Sequence, residues 1–222
     1  MDSSIIYHGS ISKIAKPVFG EGKERNDYGR GFYCTQDIEL AKEWAAVENS
    51  SIGFVNKYAI DLSRLKILDL TLKEYSVLNW IAILVKYRIF DTNSDIAKKA
   101  KDFLISKYYI DVSQFDVVIG YRADDSYFRF AKDFLNNSIS VQQLSRAMKL
   151  GNLGLQVVLI SKKSFDSLNF IGFEEVDSRI YYAKRKARDE EARMHYFSLD
   201  SNLNKENDYI ADIMRKEITN EH

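Results

Sequence analysis

Five short strand-like segments, separated at irregular intervals by helical patterns, constrain the fold of this chain most strongly. In chain order they are SIIYHGS, GFYCT, GFVNKYAID, FDVVIGY and LQVVLIS, and LQVVLIS is the last strand that the pattern supports. Each is a short apolar run or alternates with the period of a strand. Helical stretches lie between some of them, but the regular strand–helix–strand rhythm of a doubly wound parallel sheet is missing. The sequence therefore predicts a mixed α+β fold.

Helical spacing predicts where the chain leaves the strands. One helix is expected from about Asp37 to Val47 with Thr35 as its cap, and two more over 72–90 and 94–109. Ser140 and Gln143 form a capping-box pattern. The segment 184–193 is expected to be a solvated helix face with charge pairs at four-residue spacing. The last helix carries a predicted packing face at Ile210, Ile213, Met214 and Ile218.

Composition narrows the range of functions. A chain of 222 residues with 45% hydrophobic residues can bury a sizeable core. Its 32 basic and 32 acidic residues balance, which argues against indiscriminate attraction to nucleic acid or to an anionic membrane. No apolar run approaches the ~20 residues of a membrane helix, and no secretory leader is visible. The prediction is a cytoplasmic protein without a membrane partner.

The residues also argue against a metal centre and the familiar nucleotide-binding loops. Cys34 is the single cysteine, and His8, His195 and His222 are not at ligand spacing. The chain has no glycine-rich dinucleotide loop after a strand, no Walker loop, no nucleophile elbow and no zinc-protease motif. We expect no metal, and a nucleotide site would have to be built in another way.

Two turns stand out, YHGS at 7–10 and GRGFYCT at 29–35. Taken singly, each has a structural interpretation. A lone His8 after a strand is more often structural than catalytic, Tyr33 in an apolar strand is usually part of the core, and Gly29 and Gly31 could simply form a turn. Together the two turns indicate a ligand site.

The combination resembles the ADP-ribosyltransferase fold of the diphtheria-toxin and poly(ADP-ribose) polymerase branch. There, a His-Gly-Ser/Thr turn ends one strand, and a Gly-x-Gly-x-Tyr strand leads straight into a helix. The third motif is a glutamate at the start of a later strand. The resemblance implies a split β-sandwich with inserted and C-terminal helices. It places the transferase-like domain at residues 1–176, with a helical extension over 177–222 packed on the same domain.

Nearly the whole chain also resembles one bacterial family of stand-alone domains related to these transferases. Members of that family are suspected toxins or defence effectors. The resemblance rests on YHGS, DYGRGFYCT, GYRADDSYF, LGNLGLQVVLIS, KARDEEAR and NDYIADIMRKEI.

The resemblance implies that NAD is the co-substrate. Cleavage of the nicotinamide–ribose bond builds positive charge on the ribose, as in glycoside hydrolysis. His8 would bind a ribose hydroxyl, and Gly9 would offer backbone groups to the nicotinamide amide. Tyr33 would stack on the nicotinamide ring, with Phe32 facing the core.

Further residues of these turns are candidates for NAD contacts, namely Ser10, Arg30, Gly31 and Thr35. Arg30 would approach the NAD phosphates or is a solvated surface arginine, and Thr35 is more readily a helix cap than a ligand contact. Arg122, Asp124 and Asp125 form either a loop at the rim of the substrate and NAD site or a helix cap, with Arg122 paired to a carboxylate.

The third motif departs from the family pattern. Leu155 occupies the position of the expected glutamate, and leucine has no acceptor atom. Either Leu155 is a natural or engineered substitution that disarms the enzyme, or Gln156 takes over the hydroxyl contact. Since side chains alternate along a strand, these two residues should point to opposite faces. We expect a disarmed or strongly weakened form of an active fold.

The function implied is transfer of ADP-ribose from NAD to a macromolecule, protein or nucleic acid, by a toxin or anti-phage effector with a possible antitoxin partner. The alternatives are an NAD glycohydrolase, and a non-catalytic module that binds NAD or a partner. All of them require that His8 and Tyr33 lie side by side on adjacent strands and line a single cleft.

Overall fold

Two β-sheets form the centre of the protein in the computed structural model. The structure describes residues 3–90, 94–123, 125–148, 154–198 and 208–220. The first sheet is antiparallel, in the order β1 (Ser3–Ser10), β3 (Ile52–Asp61), β7 (Leu168–Asp177). The second has the order β2 (Phe32–Cys34), β6 (Leu155–Leu159), β5 (Val117–Tyr121), β4 (Ile67–Asp69). Its neighbours are antiparallel except for β4 and β5, which run parallel.

Within the described residues, one isolated bridge joins the two sheets, between β1 and the residue that follows β2. The Tyr7 amide donates to the Thr35 carbonyl at 2.7 Å, and the Thr35 amide donates to the Tyr7 carbonyl at 2.9 Å. This bridge brings the end of β1 against β2. YHGS at 7–10 is the last part of strand β1 rather than the predicted turn, because its residues pair with β3. In the GRGFYCT motif, Phe32–Cys34 form β2.

An apolar core fills the space between the sheets. The first sheet contributes Ile6, Tyr58 and Ile60. The second sheet contributes Phe32, Cys34, Val117, Val157 and Leu159.

The described helices are α1 (Ile38–Ala45), α2 (Val77–Tyr87), α3 (Asp95–Tyr108), α4 (Asp125–Leu135), α5 (Val141–Ala147), α6 (Lys162–Asp166), α7 (Ser178–Ser198) and α8 (Ile210–Asn220), with a 3-10 turn at Val112–Gln114. All of them except α1 and α6 contribute side chains to a second, larger core on Val118 and Val158 of the second sheet. At the centre of this core are Trp80, Ile81, Leu104, Phe130 and Phe134, all essentially inaccessible to solvent.

The predicted mixed α+β fold is confirmed. No helix within the described ranges combines the length and the apolar character needed to cross a bilayer.

The predicted helices over 72–90 and 94–109 are present as α2 and α3, and both are shorter than expected. The Ser140–Gln143 capping box is confirmed at the start of α5. The predicted cap of α1 is wrong. Asp37 caps this helix by accepting from the amides of Glu39 and Leu40, because Thr35 is held in the bridge between the sheets.

Two strands were not predicted, β4 and β7. Three residues are too few for β4 to show a period. Strand β7 lies at the edge of its sheet and leaves Ile171 and Phe173 largely exposed, so its sequence does not show apolar residues on one face and polar residues on the other.

The C-terminal helices contact the rest of the molecule through specific residues. Ile210 is fully buried, and Ile213 and Met214 pack against the larger core, while the side chain of Ile218 lies outside the described residues. The predicted charge pair at four-residue spacing is present between Arg193 and Asp189. Arg188 departs from the predicted solvated face, because it reaches across to a carboxylate on α1.

Candidate ligand-binding cleft

A polar cleft of about 840 Å³ opens where β1 and β2 come together. The sheets and helices contribute His8, Tyr33, Trp44, Arg88, Arg122 and Gln156, and part of the segment 12–27 lines the other side. The volume is in the range of small-molecule sites, about 300–1,000 Å³. The two sequence motifs, separated by some twenty residues, therefore meet at one concave site.

His8 is a neutral imidazole with a defined tautomer. Its Nδ1 lies 2.7 Å from the Tyr33 carbonyl oxygen, and since a carbonyl only accepts, Nδ1 carries the hydrogen. Burial lowers the pKa of His8, which keeps the ring uncharged near neutral pH. The ring stacks on Phe32 with centroids 4.2 Å apart. Nε2 is left as a hydrogen-bond acceptor.

Tyr33 lines the cleft, and its hydroxyl is engaged within the protein. The hydroxyl donates to the Gly29 carbonyl at 2.6 Å and accepts from the Tyr28 amide at 3.0 Å. Burial raises the pKa of this phenol far above its usual value, so it stays protonated. The hydroxyl of Tyr33 therefore fixes the turn that precedes its own strand.

Glycine in both motifs has a packing reason. A Cβ on Gly9 would lie 2.1 Å from the Ala41 carbonyl oxygen and 2.7 Å from the Ala45 nitrogen of α1. A Cβ on Gly31 would lie 2.8 Å from the Leu159 carbonyl oxygen of β6. Helix and strand approach the motifs too closely for any side chain, and the predicted contact of Gly9 with nicotinamide stays a prediction.

Asp27 is a cleft residue that the sequence analysis missed. It is 5% exposed, and its Oδ2 accepts from the Ala123 amide at 2.9 Å and from Gln156 Nε2 at 3.2 Å. Arg88 Nη1 lies 3.5 Å from Oδ1. Loss of solvent raises the pKa of Asp27, and the Ala123 amide together with the charges of Arg88 and Arg122 opposes this shift. A buried carboxylate with a perturbed pKa in a cleft is a candidate functional group.

Gln156 and Leu155 lie in different environments. Gln156 lines the cleft and is 5% exposed, whereas Leu155 is 37% exposed and does not line it. The Gln156 amide nitrogen donates to Asp27, and its Oε1 is buried and has no hydrogen-bond partner among the described residues. The position of the expected glutamate is thus at the start of β6, one residue before the side chain that reaches the cleft.

The other predicted residues divide into those at the cleft and those away from it. Arg122 lines the cleft, with its guanidinium 4.6 Å from the Trp44 ring centroid, and Trp44 Nε1 is buried without a hydrogen-bond partner among the described residues. Arg30 is exposed, pairs with Glu24 and lies outside the cleft lining, in agreement with a solvated surface arginine.

Four further predicted residues are not placed at the cleft. Ser10 bonds to Ser12 and Asn56 and, like the buried Thr35, is not part of the lining. Asp124 and the side chain of Asp125 lie outside the described residues.

Asn56 anchors the segment that closes one side of the cleft. It is fully buried on β3, and its Oδ1 accepts from the Ile14 amide at 2.8 Å. Its Nδ2 donates to Ser10 Oγ at 3.1 Å and to the Ser12 carbonyl at 3.2 Å. The signal in the sequence was an asparagine in the middle of an apolar strand, since a buried amide needs partners.

Basic residues outnumber acidic ones in the cleft lining. The basic residues are Lys16, Lys23, Arg88 and Arg122, and the acidic ones are Glu21 and Asp27. An excess of cations in a cleft raises the local concentration of anions. Within the described ranges no group of three His, Cys, Asp or Glu side chains could hold a metal ion. Among the described residues, the charge of the cleft lining is more favourable to an anion than to a cation.

Replacing Asp27 by asparagine is expected to stabilise the fold at neutral pH. Since burial raises the pKa of Asp27 above its unfolded value, its contribution to stability is fully present below about pH 4 and is lost as the pH rises through the raised pKa. At neutral pH the charged carboxylate is a net cost that the Asp27→Asn variant avoids. We expect a gain of ~0.5–2 kcal/mol in the free energy of unfolding, typical of single stabilising substitutions.

Thermal unfolding of both proteins from pH 3 to pH 8 measures this effect. The gain should shrink toward pH 4. A variant that is less stable than the wild type at pH 7 would contradict the desolvation argument.

Together, the fold and the cleft define an α+β protein with two bridged sheets and a polar cleft where they meet. A family model described as "Protein of unknown function (DUF3990)" matches residues 4–170, and the chain belongs to this family. The match contains every residue that lines the cleft and ends before α7. No curated protein and no solved structure matches the chain.

Proposed function

We propose that the protein has an ADP-ribosyltransferase-like split β-sandwich fold, binds NAD in the cleft and transfers ADP-ribose to a macromolecular acceptor. The observation that carries this proposal is the position of His8 and Tyr33. They come from two different sheets, are joined by the hydrogen bond from His8 Nδ1 to the Tyr33 carbonyl, and line one cleft. A toxin or defence role in the cytoplasm, with an antitoxin as partner, belongs to the same proposal.

The polar groups of the cleft fit the parts of a dinucleotide. His8 Nε2 can accept from a sugar hydroxyl, and the ring of Tyr33 offers a flat surface to an aromatic base. The guanidinium of Arg122 and the unpartnered Nε1 of Trp44 are donors suited to phosphate oxygens.

In the proposed reaction the bond between ribose and the nicotinamide nitrogen breaks, and nicotinamide leaves with the bonding electron pair. An oxygen or nitrogen nucleophile of the acceptor bonds to the ribose carbon and loses its proton. Positive charge on the ribose is then best stabilised by a carboxylate. Leu155 supplies none, so we propose that this chain binds NAD and turns it over weakly.

A non-catalytic NAD-binding module is the second candidate. Two observations favour it, because Leu155 is an apolar side chain outside the cleft lining and the Tyr33 hydroxyl is already engaged at both its donor and acceptor positions.

The test compares wild type, Leu155→Glu and Leu155→Gln with NAD labelled in the ADP-ribose part. Calorimetry should show NAD binding to all three proteins and weaker binding to His8→Ala. Leu155→Glu should raise NAD consumption by ~10²–10⁴-fold, the usual contribution of a positioned acid or base, and Leu155→Gln should not.

Label on a macromolecule supports the transferase, and label recovered as free ADP-ribose indicates a glycohydrolase with water as the acceptor. NAD binding without turnover in any variant indicates the binding module. Absence of NAD binding to wild type at millimolar concentration would refute the proposal.

A further inference from the structure

The proposed reaction does not assign a role to Asp27, although it is the most enclosed carboxylate of the cleft. Three segments distant in sequence converge on it, with donors from Ala123 and Gln156 and the guanidinium of Arg88. Such convergence around one carboxylate is more than a helix cap or a surface ion pair needs.

The charge of Asp27 determines how the Gln156 amide is oriented. An ionised carboxylate only accepts hydrogen bonds, so the side-chain group of Gln156 that faces it must be the NH₂. The oxygen, Oε1, is then directed away from Asp27. If Asp27 were protonated it could donate instead, and the amide could rotate to place its NH₂ on the other side.

Burial raises the pKa of Asp27, and the groups around it oppose this shift and favour the ionised form. Arg88 and Arg122 are cations close enough to lower its pKa, and the Ala123 amide donates to it. Tyr28 and Tyr33 also face it, and burial keeps both phenols protonated. The NH₂ of Gln156 is therefore held against Asp27.

The oriented Gln156 amide has one hydrogen-bond acceptor that is not used within the described residues. Oε1 of Gln156 is buried in the cleft lining and has no hydrogen-bond partner among the described residues, which is unfavourable for an acceptor. His8 Nε2 is a second acceptor in the same cleft. Two acceptors beside an excess of cations fit a ligand that carries hydroxyl or amide donors together with an anionic group.

We propose that Asp27 is a positioning residue, which holds the Gln156 amide so that Oε1 accepts a hydrogen bond from a hydroxyl or amide N–H of the ligand. With NAD as the ligand this rests on the proposed function, and the donor is a hydroxyl of the nicotinamide ribose or the carboxamide. Through Asp27 and Gln156, the chain supplies an acceptor that Leu155 does not.

Binding of NAD to matched variants tests this role. Gln156→Met, which removes the amide at similar size, should weaken NAD binding by ~5–20-fold, as expected for one buried hydrogen bond. Asp27→Leu should weaken binding to the same extent, and Asp27→Asn by less, because asparagine retains one acceptor. The double variant Asp27→Leu/Gln156→Met should bind no more weakly than either single variant, because the two residues act as one unit.

Glu21→Gln is the matched control. It removes the same charge from an exposed residue of the same cleft, and electrostatics alone predicts equal or tighter binding of an anion in both Glu21→Gln and Asp27→Asn. The positioning role predicts weaker binding only in Asp27→Asn, although that variant is expected to be the more stable protein. Equal affinities of wild type, Asp27→Asn and Gln156→Met would overturn the proposal.

The affinity for NAD measured as a function of pH is a further test, because a purely structural role of Asp27 would not change it. Wild type should lose affinity as the pH falls through the raised pKa of Asp27, whereas Asp27→Asn should show only the titration of His8, which lies in the same cleft. Identical profiles for the two proteins would overturn the positioning role.

Nuclear magnetic resonance decides the orientation even if NAD does not bind. The side-chain amide signals of Gln156 are assigned by their loss in Gln156→Met. Their exchange with solvent should be at least ~10-fold faster in Asp27→Asn or Asp27→Leu than in wild type. Failure of NAD to bind refutes the proposed function alone, and unchanged exchange in both Asp27 variants refutes the positioning role.

Discussion

Gly9→Ala is expected to destabilise the fold by ~3 kcal/mol or more. The added methyl would sit 2.1 Å from the Ala41 carbonyl oxygen and 2.7 Å from the Ala45 nitrogen, and both atoms belong to the backbone of α1. A helix backbone cannot yield as a flexible side chain can, so the cost lies at or above the upper end of ordinary overpacking. For a chain of this size the melting temperature should fall by roughly 6–12 °C in thermal unfolding.

Gly172→Ala is the control for this substitution. Gly172 also lies in the first sheet, on β7, and a Cβ there would meet nothing within 4 Å. The free energy of unfolding of the Gly172→Ala variant should stay within ~0.5 kcal/mol of that of wild type, because the substitution creates no clash. Similar losses in the two variants would show that the approach of α1 to the YHGS motif is not what requires glycine.

Arg188→Met is expected to lower the free energy of unfolding by ~3–5 kcal/mol, and this is the second large effect. Arg188 Nη2 lies 2.6 Å from Glu43 Oε1, and the Glu43 side chain is only 5% exposed. Without this cation the carboxylate stays in a poorly solvated place between α1 and α7. Chemical denaturation at pH 7 measures this loss.

Two controls separate burial from pairing. Lys162 Nζ and Asp166 Oδ2 are also 2.6 Å apart, but the two side chains are 72% and 63% exposed. Lys162→Met should therefore lower the free energy of unfolding by less than ~1 kcal/mol. The double variant Arg188→Met/Glu43→Leu should recover most of the loss, because no charge is left without its partner. A double variant as unstable as Arg188→Met would show that the packing of the arginine stem, not the charge, holds α7 on α1.

Features encoded by neighbouring residues could be predicted from the sequence. The Ser140–Gln143 capping box needs only four residues. The strands around Tyr7, Val118 and Val158 can be recognised in the sequence as short apolar runs. The motifs that contain His8 and Tyr33 were found because glycine, aromatic and polar residues stand together in each, although both residues lie in strands. That both motifs line one cleft follows from the bridge between Tyr7 and Thr35, which no local pattern encodes.

What depends on distant partners could not be predicted. Thr35 has the chemistry of a helix cap, but its place in the bridge leaves that role to Asp37. Strand β7 lacks the alternation of a half-buried strand because it is an edge. Arg188 looks like its solvated neighbours, and only the position of α1 gives it a buried partner.

The sequence alone determined the mixed α+β class and most of the helices, because hydrogen bonds and burial within a few residues leave a period or a cap in the chain. The tertiary structure alone decided that Asp27 lies beside Ala123 and Gln156, which are 96 and 129 residues away. The order of strands in a sheet sets such pairings, and strand order is fixed by the packing of the whole chain rather than by any neighbourhood within it.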